Sequence, residues 1–127
     1  MTSAIAVFCG AGFGALLRWW LSLTLNPIFP TMPFGTLAAN LLGGLFIGIA
    51  IGYFTHRISL PPEMRLLIIT GFLGGLTTFS TFSGEVVTLI TRTEYLWAMI
   101  TAGLHLFGSL AMTVLGLMTA NAFFVRT

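Results

Sequence analysis

The sequence predicts an all-α membrane protein, with four transmembrane helices in one domain and the third helix broken at mid-membrane. Three observations carry that prediction. Of the 127 residues, 57% are hydrophobic and only 6% charged, with a mean hydropathy of +1.02; a soluble domain carries about a quarter charged residues. So few charges cannot solvate a sphere of this size, and the apolar surface must face lipid. Second, the apolar residues fall into four stretches, each reaching the roughly 20 helical residues that cross a bilayer core. Third, Gly74-Gly75 stands inside the third stretch, ahead of a run of threonines and serines. That is poor material for an uninterrupted helix.

The first span covers residues 3–25 and ends at the Asn26-Pro27-Ile28-Phe29-Pro30 turn. Its start has no basic n-region, and its apolar run continues through Leu17. It therefore reads as a span and not as a cleavable signal. Gly10-Ala11-Gly12-Phe13-Gly14-Ala15 matches a dinucleotide fingerprint as text, but it lies inside an apolar span, and the next acid is Glu63. That is too distant for a ribose-binding carboxylate, so the glycines form a packing stripe.

The second span covers residues 35–54 and ends at Thr55-His56-Arg57. The third follows Leu60-Pro61-Pro62 and covers 63–91, with its break placed at 74–80. The fourth follows Arg92-Thr93-Glu94 and covers 95–124. Glycines four apart, at Gly10 and Gly14, at Gly44, Gly48 and Gly52, and at Gly71 and Gly75, form ridges of small residues. Such ridges let helix backbones approach in lipid, where apolar burial alone cannot drive association. Gly103, Gly108, Ala111 and Gly116 are small but less regular. Alternating strand patterns are absent, which argues against a membrane β-barrel.

Charge excludes several functions. The formal net charge is +2 without a basic tract, which gives no footprint for nucleic acid. Cys9 is the sole cysteine, so no intrachain disulfide forms. Nothing in the sequence pairs a nucleophile with a base, groups metal-binding side chains or sets two carboxylates together, so an enzyme is not expected. Arg57, Arg65 and Arg126 fall on one side of the membrane, and Arg18 and Arg92 on the other, with no lysine. Three against two is almost no positive-inside bias. The chain is therefore expected to insert in both orientations and to work as an antiparallel homodimer within membrane lipid. Such a dimer recreates the inverted repeat that many transport proteins encode in one chain.

The polar residues of the third span carry the functional reading. A break at Gly74-Gly75 turns carbonyls out of the helix ladder, and hydrocarbon tolerates these only where they line a cavity or bind something. Carbonyl oxygens suit a hard cation, and on a twofold axis two per subunit make a four-oxygen cage. The competing reading is a glycine kink with hydroxyl back-bonding. Phe79 and Phe82 share a helical face, with Ser80, Thr81 and Ser83 interleaved. Ring edges carry partial positive charge and hydroxyls donate, so the segment can pass a small anion without a fixed charge to trap it; plain packing of two phenylalanines competes with this.

Asn40 lies too deep for a loop residue and suits donation to an anion or bracing of the break. Arg18, near a span end, makes a vestibule positive or snorkels to the interface. Glu85 lies about 12 Å beyond Thr77 along a resumed helix; it suits a cap or gate at a pore mouth, or pairing with an arginine. His105, Ser109 and Thr113 share a face of the fourth span and suit either pore lining or interhelical hydrogen bonding. His56 and Glu94 read as interface anchors.

These residues give the chain a close resemblance to the Fluc family of microbial fluoride channels over nearly its whole length. The matching segments are Gly12 with Gly14 through Arg18, Gly35 through Asn40 and, most specifically, Gly71 through Ser83 followed by Glu85. Ala11 stands where a further glycine is common.

The resemblance implies a passive fluoride channel in the bacterial cytoplasmic (inner) membrane, an antiparallel dual-topology homodimer with two pores. It also implies a structural sodium ion (Na+) held by the main-chain carbonyls of Gly74 and Thr77 from each subunit. Asn40, Phe79, Ser80, Thr81 and Phe82 match the fluoride pore, and Arg18 matches the vestibule arginine. The main alternative is a dual-topology, proton-coupled exporter of small ions or drugs, which needs an exchangeable carboxylate deep in the bilayer. Glu85 is the candidate, and its expected place is nearer a pore mouth. A packing subunit without transport activity is a third reading, and it leaves the break unexplained.

Overall fold

The computed structural model describes residues 1–56 and 60–124. Arg57 and Arg126, two of the arginines in the orientation argument, lie outside the described residues. Four helices are long and apolar enough to cross a membrane, and no strand occurs among the described residues.

Helix α1 spans Thr2–Leu25 and runs into one 3₁₀ turn at Asn26–Ile28, where Pro27 ends the α geometry. Asn26 Oδ1 accepts the Gly35 amide at 2.8 Å. That bond joins the end of α1 to the start of α2, which spans Phe34–His56, and satisfies one orphan donor of its first turn.

The third span is two half-helices. The first, α3, covers residues 62–76 and opens with Pro at its first position, where the missing N–H costs nothing. Its middle, Leu66–Leu73, is π-helical. The second, α4, spans Phe79–Thr91. After a tight turn in which Thr93 takes φ 62°, α5 spans Tyr95–Phe124, with a second π segment at Leu104–Gly108. Such widened turns are frequent at functional sites.

The interruption of the third span falls inside the expected 74–80 window and is narrower than it. Gly74 is helical, at φ −65° and ψ −35°, and the break is Thr77 and Thr78 alone, both extended (ψ 154° and 115°). Glycine's low helix propensity is overridden by packing. A Cβ on Gly75 would sit 2.4 Å from Ala11 O, so this glycine serves close approach to α1.

Two glycine seams hold the bundle together. α1 lies on α3, where a Cβ on Gly14 would meet Phe72 O at 2.1 Å. α2 lies on α5, where a Cβ on Gly48 would meet Thr113 O at 2.1 Å. Backbones in direct contact gain dispersion and weak Cα–H···O bonds that do not depend on water. The small core comprises Leu21, Ala39, Ala50, Leu73 and Leu76. Large apolar side chains such as Phe8, Leu16, Trp19, Phe107 and Met118 point outward, as lipid-facing residues do.

Candidate functional site

The break is held open by one side chain. Asn40 Oδ1 accepts the Thr78 amide at 2.8 Å, and Asn40 Nδ2 donates to Thr78 O at 3.1 Å. An extended residue in a span has no ladder partners, and here an amide side chain replaces both. Thr78 then caps α4, its Oγ1 accepting from Thr81 N at 3.2 Å. Thr77 Oγ1 closes the other end by donating to Leu73 O at 2.8 Å.

This arrangement frees the carbonyls of the last turn of α3, Gly74 O and Thr77 O among them. In a continuous helix Thr78 N–H would donate to Gly74 O and Thr81 N–H to Thr77 O. Both donors are instead turned, to Asn40 Oδ1 and to Thr78 Oγ1. Gly74 and Thr77 are three apart, share a face, and line the same cleft. Another carbonyl of the turn, Gly75 O, accepts from Arg18 Nε at 3.1 Å.

The cleft measures about 470 Å³. Gly74, Thr77, Phe79 and Phe82 come from the broken span, Asn40 from α2, and His105, Ser109 and Thr113 from α5. The structure thus brings most of the sequence-derived residues together. Ser80 and Thr81 are exposed beside Thr78, whose hydroxyl lies 3.4 Å from Ser80 Oγ and donates to Thr81 Oγ1 at 3.0 Å. Arg18 lies behind the break, on Gly75.

The rings form a continuous file. Phe79 and Phe82 meet edge to face, centroids 5.6 Å apart at 66°. Phe82 stacks on His105 at 4.6 Å and 26°. Phe79 is 79% exposed in the single chain, whereas His105 is buried. Asn40 also fixes the imidazole. Thr78 N–H can only donate and Thr78 O can only accept, so the amide orientation is set. Asn40 Nδ2 then faces His105 Nδ1 at 2.9 Å. Nδ1 must accept, which leaves the ring proton on Nε2.

Sequence reasoning missed a second polar level one helical turn away. Thr36 Oγ1 donates to Glu85 Oε1 at 2.5 Å, and Thr36 and Thr101 are both buried. Thr36 precedes Asn40 by four residues, Thr101 precedes His105 by four, and Glu85 follows Phe82 by three, so each pair stacks on one helix face. Glu85 Oε2, Thr101 Oγ1 and His105 Nε2 are buried polar atoms whose hydrogen-bonding capacity is unused by the described residues. The available signal was the i, i+4 repeat of polar residues inside apolar spans.

Comparison with known proteins agrees with this architecture. Residues 5–117 match the family model described as "CrcB-like protein, Camphor Resistance (CrcB)". A protein of Burkholderia cenocepacia (strain J2315) named "Fluoride-specific ion channel FluC" is 63% identical over 120 residues, 94% of each chain. Another of that name from Nitrosospira multiformis is 63% identical over 116 residues, 91% of each chain. A third, from Burkholderia ambifaria, is 60% identical over 122 residues, 96% of this chain and 95% of its own. The matched segment reaches into all four spans and includes every residue of the cleft, and the chain belongs to the CrcB family of membrane proteins.

Proposed function

We propose that the chain is a passive, fluoride-selective channel of the bacterial inner membrane. It works as an antiparallel homodimer with two anion paths and a structural sodium ion on the dimer axis. The carrying observation is the two-residue break, whose freed carbonyls and capped second half-helix put opposite polarities side by side. The relatives' printed name, fluoride-specific ion channel, supports the substrate.

The residues fit a hard cation. Gly74 O and Thr77 O are neutral carbonyl oxygens of two residues that line the cleft, and both have lost their helical donors. They also lie at the C-terminal, negative end of α3. One chain offers two such oxygens, so a second, inverted copy would complete the set of four. When bound, the ion contributes fixed positive charge and links the two copies through their backbones.

The anion path uses the opposite pole. The N-terminus of α4 presents amides and a positive dipole end, beside the ring edges of Phe79 and Phe82 and the hydroxyls of Ser80 and Thr81. Asn40, His105, Ser109 and Thr113 continue the polar wall; Asn40 shapes it through Thr78 and His105, to which both its amide hydrogens are given, and the Thr113 hydroxyl donates to Ser109 O. These groups replace the water around a small, strongly hydrated anion without a cationic side chain to hold it. A larger anion makes poorer bonds with donors spaced for fluoride. Hydrogen fluoride enters as the neutral acid and dissociates inside, and the membrane potential drives the anion out through such a pore.

Glu85 keeps one rival in view, since a half-buried carboxylate suits a proton-coupled exporter. Its partner Thr36 is the third residue of α2, which sets Glu85 toward an end of the bundle, away from the break. Proteoliposomes loaded with fluoride at equal pH inside and out separate the two. A channel releases fluoride as soon as a potassium ionophore balances charge; an obligate exchanger releases none.

A further inference from the structure

Arg18 is the sole charged residue of α1. It is half-buried, and its Nε donates to Gly75 O, 57 residues away, at 3.1 Å. The reach depends on Gly14, one turn earlier, where α1 rests on the backbone of Phe72 and Leu76. Gly75 O is freed by the same break, because its helical partner would be the amide of Phe79, beyond the extended Thr77 and Thr78. The carbonyls of Gly74, Gly75, Leu76 and Thr77 therefore end α3 without their ladder donors. Gly74 and Thr77 face the cleft, and Gly75 does not line it.

We propose that Arg18 is a positioning residue for the cation site. By holding Gly75 O against α1 it fixes the rotation of the last turn of α3, so that Gly74 O and Thr77 O present together toward the cleft. This rests on the reading of those carbonyls as cation ligands. A planar guanidinium supplies Nε–H in a set direction while its positive charge sits at the negative end of α3. A lysine supplies charge without that fixed donor geometry. A residue that only made a vestibule positive would tolerate lysine. A residue that orients the turn would not.

The test compares wild-type protein, Arg18→Lys and Arg18→Gln, reconstituted in lithium or N-methylglucamine medium with sodium titrated in. Two readouts are followed: the sodium concentration that half-restores fluoride efflux, and amide exchange of the 74–80 segment in nanodiscs. Arg18→Lys should raise the sodium midpoint at least tenfold, high sodium should recover most of the efflux, and Thr77 and Thr78 amides should exchange at least tenfold faster at low sodium. Arg18→Gln should do the same or more, and it keeps the question decidable if lysine prevents folding. Lowered efflux in Arg18→Lys with an unchanged midpoint and unchanged exchange would overturn the positioning role. Sodium-independent efflux and stability in the wild type would instead overturn the sodium reading; the exchange rates alone then decide whether Arg18 holds the turn.

Discussion

Asn40 makes three hydrogen bonds, two to Thr78 and one to His105. Asn40→Ala leaves a buried amide, a carbonyl and an imidazole nitrogen without partners, each costing about 1–3 kcal/mol. The expected result is loss of fluoride efflux together with a lower melting temperature in detergent. Asn40→Asp keeps the acceptor for Thr78 N–H but loses both donations, so it should melt between the two. The ring pair makes a separate prediction. Phe79→Ile or Phe82→Ile should sharply reduce efflux while the size-exclusion profile of the dimer is unchanged, and wild-type efflux in both would remove the ring-edge argument. At this scale the sequence was informative about Asn40, Phe79 and Phe82 because their types are anomalous, or periodic, within apolar spans. It singled out Glu85 but not its partner Thr36, since the pairing of two residues 49 positions apart leaves no local trace.

At the scale of elements, α1–α3 and α2–α5 meet through glycine, and these seams set where the half-helices end. Gly14→Ala places a methyl 2.1 Å from Phe72 O, and Gly48→Ala places one 2.1 Å from Thr113 O. Overpacking of this kind costs about 1–3 kcal/mol, so both variants should give aggregated or poorly folded protein on size exclusion. Gly12→Ala and Gly103→Ala meet nothing within 4 Å and should behave as wild type. Equal behaviour of the two groups would contradict the seams. The four spans were legible because hydropathy and length suffice for them. The location of the break was only approximately legible. Glycine propensity pointed to Gly74-Gly75, but Gly75 is consumed by contact with α1, and the interruption falls where Asn40 can pair both backbone groups of Thr78. A tertiary clamp of this sort has no signature in the propensities of the segment it acts on.

For the whole molecule, the cleft is one-sided. Gly74 and Phe79 are exposed in the single chain, and they are the residues that the functional reading needs enclosed. The inverted second copy proposed above would enclose them and add the missing carbonyls. The weak arginine asymmetry predicts both orientations: reporters fused to the C-terminus should give cytoplasmic and periplasmic signals at comparable levels, and one orientation alone would contradict the antiparallel pair. Added lysines in one loop should bias insertion and lower function, with recovery on co-expression of an oppositely biased copy. Efflux from proteoliposomes holding fluoride and chloride together distinguishes a selective passive path from a pump or a packing element. With equal pH on both sides and an ionophore added, fluoride should leave rapidly while chloride is retained. Equal release of both anions, or of neither, would contradict a selective passive path.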